Sequence, residues 1–227
     1  MADKYKGKCF SCDNIFIMTS MTRHLLTCKG YKENLHHDQL AKDIYFMLRI
    51  QGKYAKAFFL YLDIKAESTL AELDQFLRDI WMQGSYHKSA FTVNGEEFLF
   101  PPKKLGDSNV KLVDLVNGST RFEYKYDFSF TTSLNLDILH IRKGAYREHL
   151  IEIMSRNLAP EMSCEICDKQ ASWVSWDNHY PYYYCDDCIE IYESDYGSLP
   201  IINSPRVGFC GYTGSVAKNK DMHKWNG

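Results

Sequence analysis

Apolar and polar residues alternate most clearly between residues 122 and 138. The alternating apolar positions are Phe122, Tyr124, Tyr126 and Phe128, followed by Leu134, Leu136 and Ile138. A period of two residues is typical of strands that bury one face. The Asn94-Gly95 pair between short apolar runs predicts a hairpin, and the apolar run over residues 58–64 predicts a further strand. The middle of the chain is therefore expected to form a mainly antiparallel sheet.

Three segments have the spacing of helices instead. Within residues 33–54, apolar side chains recur at helical intervals. Thr69 and Glu72 form a capping-box signature ahead of a second apolar helical pattern. A third helix is expected over residues 145–158, because Pro160 stops the pattern there. Helices that flank an antiparallel sheet predict an α+β fold.

Seven of the eight cysteines fall into two clusters that contain Cys-x-x-Cys pairs. In the first cluster, Cys9, Cys12, His24 and Cys28 follow the spacing C-x2-C-x11-H-x3-C. A Cys-x-x-Cys pair, or knuckle, supplies two sulfurs, and two further ligands lie one helical turn apart, which suits a tetrahedral Zn²⁺. Met21 lies three residues before His24, where a ββα finger places a core residue. The cluster resembles a finger of the C2H2 type with Cys as its last ligand; the alternative is a surface histidine beside a redox Cys-x-x-Cys.

The second cluster predicts a zinc ribbon. Cys164, Cys167, Cys185 and Cys188 follow the spacing C-x2-C-x17-C-x2-C. Four thiolates close the coordination shell and leave no position for a water molecule, so we expect a structural metal. The eighth cysteine, Cys210, stands apart and is expected to be a packed structural residue.

The central segment contains a series of spaced motifs. They are Leu60-Tyr-Leu-Asp-Ile, Thr69-Leu-Ala-Glu-Leu, Phe91-x-Val-Asn-Gly and Phe122-Glu-Tyr-Lys-Tyr-Asp-Phe. Over residues 54–141 this series resembles the Ri-plasmid ORF-three-like family, which includes resolvase-like passenger proteins of insertion elements. Members usually continue Tyr-Asp-Phe with Gly-Asp, whereas this chain continues with Ser129-Phe130. The resemblance implies an α+β fold and mobile-element or antiviral-defence (CRISPR-type) surroundings, and no mechanism.

Charge is distributed unevenly along the 227 residues, although the formal net charge is only −2. Residues 1–32 carry six basic and two acidic side chains, whereas residues 160–200 carry nine acidic side chains and one lysine. We expect three parts, a C2HC finger at 1–32, an α+β domain at 33–159 and a ribbon with a Gly/Pro-rich tail at 160–227. No apolar run is long enough to cross a membrane, which favours a cytoplasmic protein without a membrane partner.

Candidate contacts with a partner protein or nucleic acid lie in the finger, the ribbon and the tail. They are Arg23, Lys29, Arg206, Tyr182 and Tyr183. Arg23 is the strong guanine reader of the finger helix, whose Leu25 and Leu26 are expected to point outward. Arg206 is expected either to bind a carboxylate or phosphate of a partner, or to bind the acidic ribbon of its own chain. The aromatic residues between the two cysteine pairs of the ribbon, Tyr182 and Tyr183 among them, form either a protein-facing patch or a small core over the zinc.

Three classes of function follow from these features. The first is a non-catalytic zinc-binding adaptor that docks on a protein or nucleoprotein. It is expected to form a homodimer in which basic fingers meet acidic ribbons, and the alternative is a monomer whose finger and ribbon pair within one chain. The second is a regulatory nucleic-acid-binding protein, which contacts mainly the phosphate backbone. The third is an enzyme, for which Asp127, His140, His149 and Cys210 are candidates that no motif connects.

Overall fold

The computed structural model describes residues 5–31, 43–82, 87–102, 109–116, 121–177, 180–191, 197–214 and 224–225. The strands are β1 Lys6–Cys9, β2 Ile15–Ile17, β3 Asp43–Gly52, β4 Phe59–Lys65, β5 Ser89–Val93, β6 Glu96–Phe100, β7 Arg121–Tyr126, β8 Thr132–Gly144, β9 Ile151–Asn157, β10 Trp173–Asp177, β11 Tyr180–Tyr184, β12 Ser198–Pro200 and β13 Lys224–Trp225. The helices are α1 Met18–Thr27, α2 Leu70–Trp81, α3 Leu112–Leu115 and α4 Asp186–Ile189.

A large antiparallel sheet organises the fold. Its strand order is β2-β1-β9-β4-β3-β8-β7-β5-β6, and β13 also pairs with β9. A smaller antiparallel sheet has the order β11-β10-β12. The fold is α+β, as the sequence predicts. Among the described residues, no helix combines the length and apolarity that a membrane span needs.

Helix α2 covers one face of the large sheet. Thr69 caps its N-terminus through the reciprocal capping box with Glu72 that the sequence predicts. Phe76, Leu77 and Trp81 of this helix are fully buried in the main apolar cluster. In that cluster they pack with apolar side chains of β3, β4, β7 and β8. Burial of this amphipathic face stabilises the helix more than intrinsic propensity does.

The N-terminal finger covers the opposite face of the sheet. Strand β1 pairs with β9, so that the finger continues the large sheet across the boundary expected at residue 32. Met21 and Leu25 of α1 are fully buried in a second apolar cluster, with Phe59 and Tyr61 of β4. The prediction that Leu25 points outward is therefore wrong. Whether the three expected parts fold separately stays a prediction.

Two of the three helix predictions are wrong, because these segments form strands. Residues 43–52 form the strand β3 and residues 151–157 form the strand β9; residues 32–42 lie outside the described part. Both strands are buried on both faces, because α2 covers one side and the finger covers the other. A strand buried in this way has consecutive apolar residues, which cannot be distinguished from a buried helix by periodicity.

The strand predicted over residues 122–128 ends two residues early. Phe122, Tyr124 and Tyr126 face the core as the alternation predicts. Asp127 then adopts a left-handed conformation (φ 60°), which turns the chain and leaves Phe128 48% exposed. The predicted hairpin at Asn94-Gly95 is confirmed, since it joins β5 to β6.

Candidate metal centres

The first centre brings together the four residues that the sequence predicts. Cys9 ends β1, Cys12 follows in the turn, and His24 and Cys28 lie in and directly after α1. Their donor atoms all lie within 4.8 Å of one another, with Cys9 Sγ 4.0 Å from Cys28 Sγ and Cys12 Sγ 3.4 Å from His24 Nε2. Ligands about 2.3 Å from a Zn²⁺ lie about 3.8 Å apart along the edges of a tetrahedron. The donor set therefore fits zinc in kind and in spacing.

His24 is held in the orientation that a metal ligand needs. Its ring stacks on Phe16, with the ring centroids 3.9 Å apart and the planes 22° from parallel. Burial lowers the pKa of His24, because removal from water disfavours the imidazolium form. The neutral imidazole is the form that binds a metal.

The second centre unites the four cysteines of the ribbon. Cys167 Sγ lies 3.6 Å from the Sγ atoms of both Cys185 and Cys188, and Cys164 completes the group within 4.8 Å. Cys164, Cys185 and Cys188 are buried with Tyr184 in a small apolar cluster. The four sulfurs occupy every position of a tetrahedral shell, so a metal held here has no open position for a substrate.

The two Cys-x-x-Cys-Asp knuckles have the same turn, although the first follows strand β1 and the second lies outside the strands. The aspartates Asp13 and Asp168 both adopt left-handed backbone, with φ values of 59° and 57°. Their N–H groups donate to the carbonyls of Cys9 and Cys164, at 2.9 and 3.1 Å. Asp is one of the few residues that tolerates this conformation. The repetition shows that the knuckle geometry follows from the local sequence.

The thiols of the two centres have different electrostatic surroundings. Burial is the largest influence on Cys9 and raises its pKa to about 12. Burial also raises the pKa of Cys164, but hydrogen bonds from the backbone N–H groups of Cys185, Ile166 and Cys167 outweigh it and lower the pKa to about 6. Cys164 therefore favours the thiolate that metal binding requires, whereas Cys9 needs the charge of a cation to lose its proton.

The candidate contact residues lie on different surfaces. Arg23 and Lys29 are exposed on and after α1, as a contact role requires. Tyr182 is 37% exposed and Tyr183 is half-buried, both on β11. Arg206 is fully buried, so it is not on a surface that a partner can reach.

Arg206 binds residues of the central domain and not the acidic ribbon. Its Nη2 donates to Asp127 Oδ2 at 2.5 Å, and its Nη1 donates to the Phe130 carbonyl at 3.0 Å and to Thr132 Oγ1 at 3.2 Å. Its guanidinium also lies over the Tyr126 ring, 4.9 Å from the centroid. Sequence reasoning missed this pair because 79 residues separate the partners.

The candidate catalytic residues are brought together only in part. Cys210 is exposed, so the prediction that it is a packed residue is wrong, and its Sγ lies 3.9 Å from Asp127 Oδ2. His149 lies against Glu152, with 3.3 Å between Nε2 and Oε2, and His140 is exposed on β8. His36 and His37, which the sequence predicts to be surface residues and not metal ligands, lie outside the described residues.

Comparison with known proteins gives little further information. No protein-family model matches the chain, and no curated protein matches it. A protein of unknown function from Methanosarcina mazei Go1, MM3350, has a crystal structure that aligns over 50% of this chain and 69% of its own, at 14% identity and a TM-score of 0.43. The resemblance to the ORF-three-like family stays a prediction. The chain is a metal-binding protein by its own residues, with two sites compatible with zinc.

Proposed function

We propose that the protein is a non-catalytic adaptor that uses structural zinc and docks on a protein or nucleoprotein partner through its ribbon. The observation that carries this proposal is a set of exposed apolar side chains on the ribbon that holds the second centre. Ile166 and Ile191 are 60% and 80% exposed, and Tyr180 and Tyr182 lie on the same side of β11 with 69% and 37% exposed. We call these four residues the ribbon surface.

The ribbon surface is bordered by negative charge. Its exposed acidic neighbours in the chain are Glu165, Asp168, Asp186, Asp187 and Glu190, of which Asp187 alone pairs with a lysine, Lys169, at 2.9 Å among the described residues. Apolar residues inside a charged border are typical of protein interfaces. A negative border repels nucleic-acid phosphates and favours a partner with basic residues.

The construction of the metal centres also supports a role without catalysis. Each centre offers four protein ligands, which fill a tetrahedral shell. Zinc in such a shell contributes folding free energy, and catalytic zinc keeps one position for water or substrate.

A second candidate function is binding to the nucleic-acid backbone through the finger. The observation that favours it is the exposure of Arg23 and Lys29 on the outer side of the finger. Base reading is disfavoured by Ile17, which falls at position −1 of the finger helix, where a DNA-binding finger contacts a base; it ends strand β2 and is half-buried. An electrophoretic shift that weakens steeply with salt would favour this candidate over the adaptor.

The dimer and the biological setting are parts of the same proposal. A two-fold pair would let each basic finger meet the acidic ribbon of the other copy. Exposed ion pairs contribute about 0–1 kcal/mol each, so apolar burial must supply most of the affinity. The setting in a mobile element or in antiviral defence depends on the family resemblance alone.

Co-purification from the native host tests the docking proposal. We expect a stoichiometric partner with the wild-type chain, and loss of that partner when Ile166 and Ile191 are changed to Asp. The matched control is Tyr54→Asp, because Tyr54 is 83% exposed but lies on the central domain. Equal recovery from all three proteins would contradict docking through the ribbon surface.

A further inference from the structure

A short segment after the last ligand of the first centre connects this centre to the central domain. The ligand is Cys28, and the residues that follow it are Lys29, Gly30 and Tyr31. Lys29 is exposed, whereas Tyr31 is 5% exposed and packs in the apolar cluster beneath the finger. Gly30 and Tyr31 contact different parts of the structure, and each contact bears on the metal ligands.

Gly30 lies against the knuckle of the same centre. A Cβ atom added to Gly30 would overlap the carbonyl oxygen of Ser11 and lie 3.1 Å from the carbonyl carbon. Ser11 stands between Cys9 and Cys12. Burial raises the pKa of Cys9 and a hydrogen bond from the Ser11 N–H acts against it, so the Ser11 peptide lies directly at a ligand. The backbone of Gly30 is outside the left-handed region, so it is the close approach to Ser11 that requires a glycine.

Tyr31 connects the end of the finger to the central domain. Its hydroxyl oxygen accepts a hydrogen bond from Arg142 Nε at 3.1 Å. The Arg142 guanidinium also lies over the Tyr31 ring, 5.7 Å from the centroid. Arg142 belongs to β8, so the large sheet sets the position of Tyr31, which follows closely after the ligand Cys28.

The Arg142 side chain is itself held by several neighbours. Its Nη2 donates to Asp63 of β4, which is fully buried. Its guanidinium lies over the Tyr45 ring of β3, 4.3 Å from the centroid, and a Cβ atom added to Gly144 would overlap its Nη1. Asp63 also binds Arg147 at 3.0 Å, and displacement of Arg142 would remove one of the two cations of this buried carboxylate. Arg142 is therefore a fixed anchor for Tyr31.

The knuckle is attached to the central domain as well. Strand β1, which ends in the knuckle, pairs with β9, and the Phe10 N–H donates to the Met154 carbonyl at 3.0 Å. The knuckle and the segment after Cys28 are thus both connected to the large sheet, and Gly30 brings them into direct contact. Ligands that are held in their bound positions lose less conformational freedom when they bind.

We propose that Gly30 and Tyr31 are positioning residues of the first metal centre, through which the central domain holds the four ligands in place for Zn²⁺. Neither residue supplies a ligand atom. Gly30 allows the chain after Cys28 to lie against the knuckle, and Tyr31 fixes that chain to Arg142. Residues that support metal ligands typically change metal affinity by about 10–100-fold when they are substituted. This inference does not depend on the docking proposal.

Binding of Co²⁺ and Zn²⁺ to the full chain tests this role. Co²⁺ reports each centre separately, because a tetrahedral site of three sulfurs and one nitrogen absorbs visible light differently from a site of four sulfurs. Displacement of Co²⁺ by Zn²⁺ in competition with a chelator then gives the affinity of each centre. In Gly30→Ala we expect the first centre to bind Zn²⁺ about 10–100-fold more weakly, and the ribbon centre to bind as in the wild type.

Two further variants separate positioning from a general loss of stability. Tyr31→Phe removes only the hydroxyl that Arg142 binds, so it should weaken the first centre by a smaller factor, and it decides the question if Gly30→Ala does not fold. Gly95→Ala is the control, because a side chain at φ 85° is strained but meets no atom within 4 Å. Gly95 joins β5 to β6, at the far end of the strand order from β1. This variant should melt at a lower temperature and bind metal at both centres as the wild type does.

The affinity of each centre decides between the two roles. Unchanged affinity of the first centre in Tyr31→Phe, or in Gly30→Ala, would overturn the proposal. Equal weakening of both centres, or weakening of the first centre in Gly95→Ala as well, would show a general effect of stability and would also overturn it.

Discussion

Removal of the Arg206 guanidinium should destabilise the protein strongly. The change Arg206→Met keeps much of the side-chain volume but leaves the Asp127 carboxylate, whose side chain is 3% exposed, without its cation. Breaking a buried ion pair by removing one partner costs about 3–5 kcal/mol. We therefore expect the free energy of unfolding to fall by about this amount, much of which reflects the uncompensated carboxylate.

A double-mutant cycle measures the pair directly. Asp127→Asn is a suitable partner change, because Asn tolerates the left-handed backbone at this position. The double variant should be less destabilised than the sum of the single variants, by about 2 kcal/mol, since it leaves no isolated buried charge. Urea unfolding in chloride, followed by circular dichroism, gives the three differences. An Arg206→Met cost below about 1 kcal/mol, or additive changes, would refute the reasoning.

The same pair predicts a dependence on pH. Burial raises the pKa of Asp127, but the Arg206 guanidinium and the N–H groups of Ser129 and Phe130 outweigh it and lower the pKa. The stability that Asp127 contributes is therefore complete above the ordinary Asp pKa of about 3.9 and is lost as the pH falls through the lower folded value. Without Arg206, burial should raise the pKa of Asp127, so the deficit of Arg206→Met should shrink between pH 7 and pH 5.

Further predictions concern the metals, the finger and the assembly. Elemental analysis should find two Zn²⁺ per chain; Cys164→Ser should lose one and make the ribbon sensitive to protease, and one or no Zn²⁺ in the wild type would contradict the assignment. Leu25→Ala should cost about 2–5 kcal/mol in urea unfolding, because Leu25 is fully buried, whereas Leu26→Ala at a 38% exposed position should cost far less. Equal costs would argue against packing of the finger on the sheet. Light scattering should give a mass above the 26.5 kDa of one chain, and a constant mass of 26.5 kDa would exclude the dimer.

The metal ligands could be predicted from the sequence because their geometry is local. Each knuckle is closed by hydrogen bonds within six residues, and Cys28 is separated from His24 by one helical turn. The capping box of α2 and the Asn94-Gly95 hairpin were predictable for the same reason. In each case the residues that specify the element are also the residues that form it.

The strands β3 and β9 could not be predicted because burial on their second face comes from a distant part of the chain. Met47 and Met154 point toward the finger, whereas their neighbours on the strands point toward α2. A strand covered on one face would have shown polar residues at these positions. The polar contacts of the tail were hidden in a similar way, since Arg206 and Asn203 bind residues more than 40 positions away.

The two metal centres belong to parts of the fold that differ in size. The first contributes Cys9 and Cys28 to the apolar cluster that covers one face of the large sheet, together with Met21 and Leu25 of α1. The second belongs to a cluster made of its own cysteines and Tyr184, on a separate sheet. We therefore expect loss of metal from the first centre to release the cover of a large apolar face, and loss from the second to unfold only the module that displays the ribbon surface. We therefore expect the proposed adaptor to keep its scaffold stable while its docking module depends on its own metal ion.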